Sequence, residues 1–145
     1  MTERRLSYVC GFLFSPDGSR VLLIRKNRPA WQAGRLNGIG GKVEPGETID
    51  EAMLREGFEE ADVMPAWVHF ITLRYLAADV SFFAAKGREI DAVRGKTDEP
   101  LQIIDVRSLL DHPHIDNLGF LLPMGLHAIF AAHIVAPIVT ISLRN

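Results

Sequence analysis

Glu56, Glu59 and Glu60 lie close together, with Arg55 directly before them. On a helix, at 100° per residue, the three carboxylates fall within about 100° of one another. Like charges on one face repel unless something positive sits among them. Arg55 is one source of that charge, and a divalent cation is another. Oxygen-only donors at this density suit Mg²⁺ or Mn²⁺ rather than Zn²⁺. Acidic runs on helices are also ordinary solvated faces, so the residues upstream have to decide between the two. The helix itself is legible. Thr48 followed by Glu51 is a capping box, which satisfies two N–H groups at the first turn. From there to about Ala61 there is no Pro, and Gly57 is the single Gly.

Upstream, Gly41 is followed after five residues by Glu47, then after seven by Arg55-Glu56, then after two by Glu59-Glu60. This spacing resembles the Nudix box, G-x5-E-x7-R-E-U-x-E-E-x-G-U, with U a bulky apolar residue. All six G, E, R-E and E-E anchors are present. Two positions depart from the pattern. Gly57 stands where the family carries a bulky residue, and Asp62 stands where it carries glycine. Asp tolerates the left-handed geometry that often ends a helix. Gly57 costs about 1 kcal/mol of helix propensity relative to Ala and removes a packing side chain.

The resemblance implies hydrolysis of a nucleoside diphosphate linked to another moiety. Water attacks phosphorus, and divalent cations neutralise the charge that develops. It also implies that the Gly40 backbone carbonyl joins Glu56, Glu59 and Glu60 in holding Mg²⁺ or Mn²⁺. Glu47 is expected to pair with Arg55, and Lys42 and Arg25 are expected near the phosphates. For the water-activating base two candidates stay open, Glu59 on the box helix and Glu99 in Thr97-Asp98-Glu99-Pro100. Ala33 to Lys42 looks like the matching stretch of MutT-like members that remove oxidised purine nucleoside triphosphates. Asn37 is therefore the first candidate for reading a base, although it could instead bond its own backbone. Asp116 and Asn117 are equal candidates for a second reader. Trp31 and Phe120 could stack on a base. The leading substrate is a (d)NTP or an oxidised (d)NTP such as 8-oxo-dGTP, cleaved to monophosphate and pyrophosphate. The alternatives are ADP-ribose, a dinucleoside polyphosphate or a nucleotide sugar, or a nucleotide-binding regulatory module without catalysis.

The elements that would carry these groups follow from pattern. The 145 residues suit one domain, 1–145. Apolar content of 48% and charge of 23% are ordinary for a soluble fold. A net charge of −2 argues against a nucleic-acid polymer or an anionic membrane as partner. Cys10 is the single cysteine, so no internal disulfide forms, and a reducing, cytoplasmic setting is expected. The apolar run after Arg5 is broken at Ser15-Pro16-Asp17-Gly18, which argues against a signal peptide. Leu118 to Leu143 is apolar, but its His and Pro residues argue against a membrane span. Tyr8–Phe14 and Arg20–Lys26 read as a hairpin. Leu36–Gly40, Val68–Leu76, Asp79–Ala85 and Leu101–Val106 read as further strands. Lys86–Asp98 reads as a mobile loop, Val106–Leu110 as a short helix, and Phe120–His133 as a helix with Pro123 in its first turn. Val135–Leu143 reads as a strand, either an edge of the same sheet or one donated across a homodimer. The expected fold is an α/β/α sandwich around a mixed sheet, which the resemblance also implies.

Overall fold

The structure, a computed structural model, describes residues 5–131 and 139–142. Among these residues eight strands form one mixed sheet: β1 (Leu6–Phe14), β2 (Arg20–Arg25), β3 (Leu36–Asn37), β4 (Ile39–Lys42), β5 (Val68–Arg74), β6 (Ala78–Lys86), β7 (Leu101–Asp105) and β8 (Val139–Ser142). The helices are α1 (Ile49–Ala61) and α2 (Leu118–Phe130). The longest path runs β3-β2-β1-β6-β5-β8, with β4 added to β1 and β7 to β2. β1 and β6 are parallel, and β1 and β2 are antiparallel.

Alternation along the strands divides the core in two. Phe12, Phe14, Val21 and Leu23 pack with Leu118, Leu121 and Leu122 of α2. Leu13, Leu22 and Ile24 pack with Ala52 and Met53 of α1. Both faces of β1 and β2 are buried, which is why these strands read as nearly continuous apolar runs. The result is the expected sandwich.

Near the site the sheet forks. β2 pairs with β1 only at Leu13 and Phe14, and then pairs with β3 at Leu36 and Asn37. β4 takes the remaining edge of β1, from Tyr8 to Gly11. The chain turns between the two branches at Gly38. A Cβ there would stand 2.6 Å from the Cys10 Sγ and 2.8 Å from the Gly11 carbonyl oxygen, a fit that only glycine allows.

Two expectations change, and one of two open readings is seen. Lys86–Asp98 is tied down. It contains a turn at Arg88–Ala92 with Ile90 buried. The Arg94 N–H donates to the Ala61 carbonyl at 3.0 Å, and the Lys96 ammonium pairs with Asp62 at 3.1 Å. The free carbonyls and partial negative charge of the α1 C-terminus attract this segment. Helix α2 begins at Leu118, so Pro123 lies beyond its first turn. The exposed Gly119, four residues earlier, leaves water able to take the carbonyl that Pro123 cannot bond. β8 pairs in parallel with β5 of its own chain, from Ile71↔Val139 to Arg74↔Ser142. It is an edge strand of this sheet. Positions 135–138 and 143 of that expected strand lie outside the described residues, as does His133 at the expected end of α2.

Candidate active site

Helix α1 starts where the pattern places it. Thr48 Oγ1 accepts from the Glu51 N–H, and the Glu51 carboxylate accepts from the Thr48 N–H, both at 3.1 Å. It ends at Asp62, whose φ of 59° and ψ of 40° are left-handed. Asp meets that need with little strain.

Between these ends Arg55 holds the carboxylate face together. Its Nε and Nη2 donate to the two Glu47 oxygens at 2.8 and 3.0 Å. Its Nη1 reaches Glu56 at 2.9 Å and Glu59 at 3.1 Å, and Nη2 also donates to the Lys42 carbonyl at 3.0 Å. The expected Arg55–Glu47 pair is therefore present and bidentate, the stronger geometry for Arg. It pulls the Glu47 carboxyl below its usual range.

The glutamates divide into an inner pair, Glu56 buried and Glu60 half-buried, and an outer one. Glu56 is 9% exposed, and its carboxylate lies against the Cα of Gly41, where a Cβ would stand 2.5 Å from Oε1. Glu60 is pushed up to about 8, first by burial and then by the Glu56 carboxylate beside it, while the Lys26 charge opposes the rise. The Gly40 backbone meets Glu60 from the sheet side. Glu59 points outward and bonds Arg55; its side chain is 54% exposed. Among the described residues no three His, Cys, Asp or Glu side chains converge on one point. Glu59 joins the other two through Arg55 Nη1, which it shares with Glu56.

Two adjacent carboxylates, one forced toward protonation by burial and by the other, fit a hard divalent cation. The donors are oxygen, and a cation between them would remove the repulsion that raises Glu60. Glu56 and Glu60 could hold it, with the Gly40 backbone beside Glu60. Mg²⁺ commonly keeps several waters, so a full protein cage is unnecessary.

A cavity of about 500 Å³ opens in the fork beside this pair. Gly40 and Gly41 form the wall nearest the carboxylates, and Asn37, Asn117, Tyr75 and Trp31 line it farther on. Trp31 is 62% exposed at the rim. Asn37 has its amide engaged. Its Oδ1 accepts from the Gly38 N–H at 2.8 Å, and its Nδ2 donates to Gln32 Oε1 at 3.2 Å. Asn37 thus bonds the neighbouring backbone and also lines the cavity. Asn117 Nδ2 reaches the Tyr75 hydroxyl at 3.4 Å, while its Oδ1 is buried without a partner. Cys10 also lines the cavity, and burial pushes its thiol up to about 12, a neutral wall rather than a nucleophile.

Several expected residues lie elsewhere. Asp116 is exposed and off the cavity wall, as are Lys42 and Phe120. Arg25 donates to Gln102 and to the Gly34 carbonyl, away from the cavity. It shares the side of Val21 and Leu23, whereas Lys26 continues the side of Leu22 and Ile24, which faces α1. Lys26 is the cation that lines the cavity, and strand alternation is the signal that could have found it. Glu99 is 9% exposed and fully committed. It accepts from Lys26 Nζ at 3.0 Å and from the Asn27 and Arg28 N–H groups at 2.7 and 3.4 Å. These partners hold its carboxyl below the usual range, and it fixes the start of the Asn27–Arg35 loop rather than facing the cavity as a free base.

No helix among the described residues is long and apolar enough to cross a membrane. Comparison with known proteins follows the same lines as the geometry. The mouse (Mus musculus) oxidized purine nucleoside triphosphate hydrolase is 48% identical over 69 residues, 48% of this chain and 42% of its own length. The chain spans less than half the length of the curated relatives it matches, from 12% to 42%. The NUDIX domain of Shewanella oneidensis NrtR, solved with ADP ribose, superimposes with a TM-score of 0.75 at 16% identity, over 88% of this chain and 90% of that one. A MutT structure, from Aliivibrio salmonicida and Vibrio cholerae work, gives 0.70 at 21%, over 85% and 98%. At those identities the structures attest the fold alone. The family model for the NUDIX domain matches residues 4–117, most of the chain including the carboxylate helix, and the chain belongs to that family.

Proposed function

We propose that this protein is a metal-dependent pyrophosphohydrolase that cleaves a (d)NTP or an oxidised (d)NTP, such as 8-oxo-dGTP, to monophosphate and pyrophosphate. The observation that carries this reading is the adjacent Glu56–Glu60 pair, with the buried Glu56 abutting Gly41, at one end of a cavity of about 500 Å³ with amide and aromatic walls. Similarity to the mouse oxidized purine nucleoside triphosphate hydrolase favours the triphosphate among family substrates.

In this reading the base and sugar occupy the cavity. Trp31 stacks at the rim, and the Asn37 and Asn117 amides orient the base. The phosphates run toward Gly40 and Gly41, where the missing side chains let them approach the backbone. Lys26 supplies a fixed positive charge beside them, itself oriented by Glu99. A divalent cation held by Glu56, Glu60 and the Gly40 carbonyl would neutralise phosphate charge and acidify water. Glu59, outermost of the three and steadied by Arg55, would accept the proton of the attacking water. Such a base contributes about 10²–10⁴-fold in rate.

A nucleotide panel scored for pyrophosphate, orthophosphate and AMP tests this directly. Release of pyrophosphate from 8-oxo-dGTP or an ordinary triphosphate is expected with Mg²⁺ or Mn²⁺ and is lost in Glu60→Gln. If every triphosphate is inert while ADP-ribose, a dinucleoside polyphosphate or a nucleotide sugar turns over, the substrate reading is wrong. If nothing turns over but a nucleotide binds, the protein is a regulatory module instead.

A further inference from the structure

Gly57 breaks the family pattern by lacking a bulky side chain, and the structure shows what occupies that space. A Cβ on Gly57 would stand 3.3 Å from both Cζ2 and Nε1 of Trp67, and 3.3 Å from the Val63 carbonyl oxygen. Across the indole lies Gly11 of β1, where a Cβ would meet Trp67 Cζ3 at 2.9 Å and Met53 Cε at 2.6 Å. Two glycines, one on the sheet and one on the helix, thus make room for a single indole. Trp67 packs against the core cluster that contains Met53, and its Nε1 is buried without a hydrogen-bond partner. Shape, not hydrogen bonding, holds the ring there.

The position of this wedge matters because of what α1 carries. Met53 and Gly57 are one turn apart, as are Glu56 and Glu60, and all four lie on the side of α1 that meets the sheet. Beyond the Ala52 and Met53 packing, two contacts steady the helix on the sheet. One is the Glu56 carboxylate against Gly41, and the other is the Trp67 indole between Gly57 and Gly11. The second support sets the roll of the helix about its axis. A change in roll moves the Glu56 and Glu60 carboxylates relative to Gly40.

We propose that Trp67 is a positioning residue for the Glu56–Glu60 pair, replacing from outside the helix the support that a bulky residue at position 57 would supply from within it. This rests on the reading of that pair as a divalent-cation site.

The test uses metal-free full-length protein titrated with Mn²⁺, with the free ion counted by its EPR signal, alongside thermal unfolding and steady-state kinetics. Gly57→Ala improves helix propensity but drives a methyl against the indole atoms Cζ2 and Nε1. Its Tm is expected to hold or rise while Mn²⁺ binds about tenfold more weakly, within the range for outer-shell changes at metal sites. In turnover kcat falls and the nucleotide KM stays within about twofold of wild type. Trp67→Phe removes the two indole atoms that a methyl at position 57 would strike. The double variant Gly57→Ala/Trp67→Phe is therefore expected to recover affinity to within about threefold of wild type, a coupling that unlinked sites do not show. Equal Mn²⁺ affinity in wild type and Gly57→Ala overturns the positioning role and leaves the cation site standing. Failure of the double variant to recover also overturns it. A wild-type protein that takes up no Mn²⁺ overturns the cation site, and the proposal with it.

Discussion

Glu60 carries the largest electrostatic strain in the site, and replacing it with Gln should make the metal-free protein more stable while destroying its activity. Burial and the Glu56 carboxylate raise the Glu60 carboxyl from 4.5 to about 8. A carboxyl raised in the folded state binds more protons folded than unfolded between those values, so folding stability falls as pH climbs through that window. At about 1.36 kcal/mol per pKa unit, the loss from this one group amounts to roughly 3 kcal/mol between pH 5.5 and pH 8. Gln cannot ionise, and its curve lacks that slope. Depressed carboxyls such as Glu47 and Glu99 contribute below this window, while His69, lowered by burial, contributes with the opposite sign near its acid end. The difference between wild type and Glu60→Gln cancels all of them. For a chain of this size about 3 kcal/mol is roughly 10 °C in Tm. Scanning calorimetry in EDTA, from pH 5.5 to 8, should show the two curves diverging, with Glu60→Gln the more stable at the alkaline end. Adding Mg²⁺ or Mn²⁺ should raise the wild-type Tm and leave the variant nearly unmoved. Parallel curves across the window would show that Glu60 is an ordinary solvated carboxylate, and the cation-site reasoning would fail with it.

Four other substitutions separate folding from function. Gly41→Ala places a methyl 2.5 Å from Glu56 Oε1, the movable end of a side chain, so kcat is expected to fall about 10²-fold with a nearly native Tm; Gly40→Ala instead meets the Val9 carbonyl at 1.9 Å and should fail to fold, which circular dichroism would show. Glu99→Gln weakens the hold on Lys26 and the Asn27–Arg35 loop, so KM should rise about tenfold with kcat within about threefold, whereas a water-activating base would lose kcat and change the pH–rate profile. Arg55→Lys loses the two-pronged contact with Glu47, and kcat is expected to drop about tenfold or more because Glu56 and Glu59 lose their shared donor.

The chemistry on α1 was legible in the chain because it is local. The capping box, the carboxylate face and the Arg55–Glu47 pair span short sequence distances, and helical geometry relates them without help from the rest of the fold. Asp62 could be read the same way, since its backbone conformation depends on its own side chain. Strands β1, β2, β5, β6 and β7 were equally readable, because burial writes an apolar pattern into each of them.

What lies between distant segments was not readable. Whether Arg25 or Lys26 faces the cavity depends on which side of β2 meets α1, and that is decided by the register of the sheet. Glu99 looked like an available base until the fold brought Lys26 and two backbone N–H groups onto its oxygens. Asn117 and Asp116 differ only in the direction that one turn before α2 gives them. Gly57 appeared as a simple loss of packing, yet Trp67, ten residues away, fills the space. By itself the sequence determined the kind of chemistry, since that needs only certain residue types at helical spacing. The tertiary structure decided which polar groups remain free for a substrate, because hydrogen-bond partners and buried volume belong to segments that meet only on folding.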